Sequence, residues 1–195
     1  MKKSFSLYAF LVLFSFAIVS CGPKVTRVSE DTVTDISGRW NDTDSRLTAE
    51  EITSEMMAHP WYNTYTSQNG GEVPVIIVGM ITNKSHEHIP TETFSKDIEK
   101  AIINSSRMRL VQAGAMREEI RAERADQQNY SSASSMKKFG LEQGADFMLQ
   151  GTINSIVDQY KKDKAIYYQV DLELTNLETN EKVWIGDKKI KKLVN

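Results

Sequence analysis

The chain has 195 residues, a formal net charge of −2 and a single cysteine. That charge is ordinary for a soluble surface and argues against a dedicated nucleic-acid binder, whose domain would carry a marked basic excess. One cysteine rules out an intramolecular disulfide and a cysteine-based metal site, and the length suits one domain preceded by a tail.

The N-terminus reads as a targeting segment. Met1-Lys2-Lys3 is basic, Phe5 to Val19 is apolar apart from Ser6 and Ser15, and the run ends in Ser20-Cys21-Gly22-Pro23. A basic start, an apolar middle and small residues at a cleavage point make a secretory signal peptide, residues 1–20. The run of about 15 residues is shorter than the roughly 20 a membrane-spanning helix needs. Ile18-Val19-Ser20-Cys21 resembles the bacterial lipobox. That resemblance implies a diacylglycerol thioether on Cys21, cleavage before it and fatty acylation (palmitate) of its amine. Several acyl chains on one residue make a firm anchor where one does not. Gly22 stands where an Asp would signal retention in the inner membrane, so the expected address is the outer membrane of a Gram-negative cell. Cleavage removes Lys2 and Lys3 from the 24 basic side chains and none of the 26 acidic ones, which moves the formal charge from −2 to −4.

Residues 21–45 are polar and rich in Ser, Thr and Asp, with isolated valines, Ile36 and Trp40. No period is sustained, so the segment is expected to be a flexible tether. About 24 residues would extend to about 80 Å at full stretch and average about 25–30 Å as a coil.

The folded domain is expected over residues 46–195. Leu47 to His59 reads as a helix with Thr48 and Glu51 as a capping box, a stripe of Ile52, Met56 and Met57, and Pro60 as its stop. Trp61, Tyr62 and Tyr65 follow before the Asn69-Gly70-Gly71 loop signal. Val73 to Ile81 is a β-branched run, the mark of a central strand covered on both faces. From Thr91, the spacing of Phe94, Ile98, Ala101 and Ile102 predicts one clean helical face. Met108 to Val111 is a short strand. Ala115 to Gln128 is a solvated helix whose only large apolar residues are Met116 and Ile120, and Ser131 to Gln143 is expected to be another helix, with Met136 and Phe139 inward and Gly144 as its stop. Three strands close the chain: Ala145 to Tyr160, the strictly alternating Ile166 to Thr175, and Lys182 to Leu193 after a turn at Glu178 to Glu181. The order predicts an α/β (α+β) fold: a mixed or antiparallel sheet of four to five strands with flanking helices.

Chemistry is sparse. His86-Glu87-His88 is a metal-like pair, but only His59 remains elsewhere, and a polar loop is the plainer reading. Asp42-Thr43-Asp44 opens like a calcium loop that then fails at Leu47 and Thr53, so these acids suit a helix start. Glu118 and Glu119 point about 100° apart on a helix, and Glu118 pairs more simply with Arg121. The chain has no phosphate-binding loop, nucleophile elbow or zinc-protease motif. The expectation is a non-enzyme without cofactor or metal.

Arg39–Met56 ("RWNDTDSRLTAEEITSEM"), Glu87–Val111, Gly144–Asp158 and Tyr167–Gly186 ("YYQVDLELTNLETNEKVWIG") resemble the LpoB family of lipoprotein activators of penicillin-binding proteins. The resemblance implies a fold similar to the N-terminal domain of TolB. It also implies a periplasm-facing lipoprotein that docks on a class A penicillin-binding protein, a bifunctional peptidoglycan synthase, and stimulates it. The enterobacterial members carry a long Pro-rich tether, whereas this one is short with a single Pro23. A structural or assembly role in the envelope, TolB- or CsgG-related, is the alternative. The expected docking residues are Gln169, Asp171 and Glu173 on the wet side of the alternating strand, together with Trp184.

Overall fold

The structure, a computed structural model, describes residues 25–29, 32–138 and 140–194. The signal-peptide run, Cys21 and Phe139 lie outside the described residues. The chain divides into two compact units between Thr32 and Val33. In the first, Val25 and Val28 are exposed. The second contains helices α1 (Asp42–Ala58), α2 (Pro60–Gln68), α3 (Thr91–Ser105) and α4 (Gly114–Tyr130). Its strands are β1 (Val75–Asn83), β2 (Arg109–Leu110), β3 (Phe147–Tyr160), β4 (Asp163–Asn176) and β5 (Lys182–Val194).

The strands form one sheet in the order β2-β1-β3-β4-β5. β1 runs parallel to β2 and β3, while β3, β4 and β5 form an antiparallel meander. The mixed five-stranded sheet with flanking helices is the α+β architecture expected from the element order. α1, α2 and α3 supply Ile52, Met56, Trp61, Phe94, Ile98 and Ile102 to a single core. The sheet supplies Ile76, Leu149, Ile153, Tyr168, Val170 and Leu172 to the same core. Each fully buried aliphatic side chain here contributes about 1.5–3 kcal/mol of transfer free energy. β1 is buried on both faces only in its first half. Val75 to Val78 are buried, but Met80 is 77% exposed.

α1 starts earlier than the apolar pattern suggests. Its capping box is Asn41 with Asp44, not Thr48 with Glu51: Asn41 Oδ1 accepts from the Asp44 amide and Asp44 Oδ2 from the Asn41 amide, each at 3.0 Å. Asp42 and Asp44 sit in the first turn, where the helix dipole favours carboxylates. Thr43, Asp44, Ser45 and Thr48 are buried, so the hidden stripe begins in polar residues and carries no apolar signal. The chain just ahead is packed too. Trp40 meets Phe94 and Tyr168 edge-on at 6.1 and 5.6 Å, and its amide donates to Glu87 Oε2 at 3.1 Å. Gly38 has a φ of +68°, and a Cβ there would collide with the side chain of Val194. Residues 35–41, read from sequence as part of the tether, thus form a strap against the sheet and the first turn of α1, and residues 42–45 are that turn.

Two further expectations are corrected. Pro60 ends α1 but also begins α2, because a proline fits the first helical turn, where its missing N–H costs nothing. Tyr65 of α2 donates to Asp146 Oδ2 at 2.7 Å, and that same oxygen accepts from the Val75 amide at 2.7 Å. Burial, and then this hydrogen bond, push the phenol up to about 12. The described residues of 131–143 form turns, not a helix. Their serines bond one another and the local backbone, as in Ser132 Oγ to Ser135 Oγ at 2.7 Å, and such bonds compete with helix formation. Gly140 has a φ of +73°.

Candidate docking face

β4 alternates without a break: Ile166, Tyr168, Val170, Leu172 and Leu174 are buried, and Tyr167, Gln169, Asp171, Glu173 and Thr175 are half-buried on the other side. Register carries this alternation across the sheet. Gln150, Thr152 and Asn154 of β3 lie opposite Glu173, Asp171 and Gln169, and Ile185, Asp187 and Lys189 of β5 flank the same three residues. α1, α2 and α3 pack on the inner side, so this outer face is open. Met80 (77% exposed), Ile185 (63%) and Ile156 (67%) stand on it as unburied apolar side chains.

The polar middle of the face is held by side-chain bonds. Tyr167 Oη donates to Gln169 Oε1 at 3.1 Å, and Gln169 Nε2 to Asp171 Oδ1 at 2.6 Å. Asn154 Nδ2 donates to Asp171 Oδ2 at 3.1 Å and to Thr152 Oγ1 at 3.0 Å. Gln150 and Lys182 both donate to Glu173, at 3.3 and 2.6 Å. The Lys182 ammonium holds the Glu173 carboxyl below its ordinary range. This surface has fixed donors and acceptors between apolar ends.

Gln169, Asp171 and Glu173 therefore come together on one face. Trp184 does not join them. It is 2% exposed, and its ring folds over Gly186 on the inner side, where a Cβ on Gly186 would lie 2.1 Å from Trp184 Cζ2. Trp184 pairs with the buried Leu174 and so faces inward, and Ile185, paired with Glu173, is the outward neighbour. Sequence reasoning missed Met80, Ile185 and Asn154. The alternation of β4 could have found Asn154 and Ile185 only once the register was known.

The other candidates are structural. Residues 84–90 form a loop in which His86 Nδ1 lies 2.6 Å from Ser155 Oγ. Among the described residues no group of three metal-ligating side chains converges, and no helix is long and apolar enough to cross a membrane. Glu118 accepts from Arg121 at 2.7 Å, and Glu142 accepts two hydrogen bonds from the same guanidinium, which keep the Glu142 carboxyl below its ordinary range.

The model of a family described as "Peptidoglycan-synthase activator LpoB" matches residues 44–190, about three quarters of the chain. The chain belongs to the LpoB family. LpoB proteins are regulatory activators of peptidoglycan synthases and envelope lipoproteins. The LpoB match runs from the first turn of α1 to Ile190 of β5, so it covers the open face and stops short of the strap and Lys192. Among solved structures, the LpoB C-terminal domain from Escherichia coli is 15% identical with a TM-score of 0.45, over 76% of this chain and 99% of that chain. The corresponding domain from Salmonella enterica is 14% identical with a TM-score of 0.44, over the same shares. Lipoprotein GNA1162 from Neisseria meningitidis is 16% identical with a TM-score of 0.38, over 62% of this chain and 83% of that chain. A search of curated proteins found no match.

Proposed function

We propose that this chain is an outer-membrane lipoprotein, anchored through lipidated Cys21 and facing the periplasm, that binds and activates a class A penicillin-binding protein. Membership of a synthase-activator family over residues 44–190 carries the reading. The open face supports a docking role for Gln169, Asp171 and Glu173, because a rigid polar centre with apolar ends is uncovered there. Trp184 acts from beneath, holding the β5 edge of that face in shape.

An activator of this kind works by differential binding. It raises the rate only by binding the active conformation of the synthase more tightly than the inactive one. The strap limits its reach. With residues 35–45 packed, the tether shrinks to Gly22–Thr34, which spans about 45 Å at full extension. The docking domain therefore works close to the membrane that anchors it. Purified chain titrated into glycosyltransferase and transpeptidase assays of the host's class A synthases tests the proposal. A saturable rise with one of them is expected, and no change with any of them refutes it.

A further inference from the structure

Three carboxylates, Asp171, Glu173 and Asp187, are neighbours at the polar middle of the open face, and two have a cation. Glu173 pairs with Lys182 at 2.6 Å and Asp187 with Lys189 at 3.0 Å. Asp171 pairs with none among the described residues; its two oxygens accept only from the neutral amides of Gln169 and Asn154. Its position makes this costly. Asp171 lies directly opposite Asp187 in the β4–β5 ladder, and like charges in that relation destabilise a sheet; Lys189, in contact with Asp187 alone, offsets part of this. A sequence selected for stability alone would place a neutral or basic residue there. A local conflict of this kind marks a functional position when the rest of the strand is consistent.

The surroundings fit a particular visitor. Asp171, Met80 and Ile185 line one shallow depression of about 360 Å³. The amides fix the carboxylate's orientation while leaving about two of its roughly four acceptor sites free. A planar guanidinium can take both remaining sites with its fork and lay its weakly hydrated body against Met80 and Ile185. A lysine ammonium is a point charge and more strongly hydrated. A charged anchor ringed by apolar atoms that exclude water is the usual build of an interface hot spot, and arginine is enriched there.

We propose that Asp171 is the seat for an arginine of the synthase, which enters the depression between Met80 and Ile185 and neutralises the Asp171–Asp187 conflict. This rests on the docking reading above. The test uses the full lipid-modified chain in detergent micelles, titrated with purified class A synthases, alongside thermal unfolding of each variant. Asp171→Asn is expected to weaken binding by at least about tenfold, as loss of a desolvated charge pair does. Its melting temperature should stay equal or rise, because the like-charge contact is gone. Asp187→Asn relieves the same repulsion but keeps the seat, so its affinity should change by less than about threefold, as for a rim charge. Wild-type affinity in Asp171→Asn overturns the proposal alone, as does equal weakening by both variants. A wild-type dimer that Asp171→Asn dissolves assigns the face to self-association and also overturns it. Failure of the wild-type chain to bind any synthase removes the docking reading and this inference together.

Discussion

The Lys192 ammonium of β5 lies 2.5 Å from Asp44 Oδ2 in the first turn of α1, with both side chains almost out of solvent. The same nitrogen donates to the Arg39 carbonyl at 2.9 Å and meets Asp35 at 3.0 Å. One cation thus ties the strap, the helix start and the edge strand together. Removing one member of a buried pair leaves the other charge uncompensated, at about 3–5 kcal/mol. Lys192→Met is therefore expected to lower unfolding free energy by about 3 kcal/mol and to speed amide exchange across residues 35–41. Denaturant melts with hydrogen exchange measure both. A loss under about 0.5 kcal/mol, the scale of an ordinary surface change, would show that the strap is held by Trp40 alone.

Gly186 lies inside a strand, where glycine is otherwise unfavourable, and Trp184 explains it. The Trp184 ring occupies the space a Cβ would fill. Gly186→Val is expected to expel the indole and cost about 1–3 kcal/mol, the range for overpacking a core. Tryptophan emission should shift to longer wavelength in the folded state, since Trp184 is otherwise 2% exposed. Unchanged emission together with an unchanged melting point contradicts this packing.

The Glu173 carboxyl lies below its ordinary value of 4.5, chiefly through the Lys182 hydrogen bond. A depressed folded value means the contribution to stability is complete above about pH 4.5 and is lost as pH falls through the lowered folded value. The pair is half open to solvent, so the effect is under about 1 kcal/mol. Side-chain carboxyl NMR should give a Glu173 midpoint below 4.5, moving upward in Lys182→Met. A midpoint that does not move with that substitution removes the assigned cause.

Cys21→Ser tests the anchor separately from the fold. On the proposed anchor, palmitate labelling should disappear and the leader should remain uncut, because without the Cys21 sulfur no diacylglycerol thioether can form. Retention of label by the serine variant would place the lipid elsewhere.

Much of the architecture was legible because one physical signal dominated each element. The alternation of Ile166 to Thr175 could only be a half-buried strand, and Phe94, Ile98 and Ile102 could only share one helix face. Misreadings came where polar atoms carried the information. The buried stripe of α1 opens with Thr43, Asp44 and Ser45, so hydropathy placed its start too late. Pro60 served as both stop and start. The Ser131–Gln143 stretch had enough length for a helix, but Ser132, Ser134 and Ser135 spend their hydroxyls on local bonds. Of the residues expected to dock, Gln169, Asp171 and Glu173 share one face, as the period of two implies. Trp184 does not, because its side is set by its pairing with Leu174 across the hairpin, a register that residue types alone do not reveal.

Site-specific photocrosslinking in living cells tests the central claim most directly, with the probe at Ile185 on the open face and, for comparison, at the exposed Glu55 on α1. The account predicts a class A penicillin-binding protein trapped from Ile185 and not from Glu55. A synthase trapped from Glu55 alone, or from neither position, would contradict it.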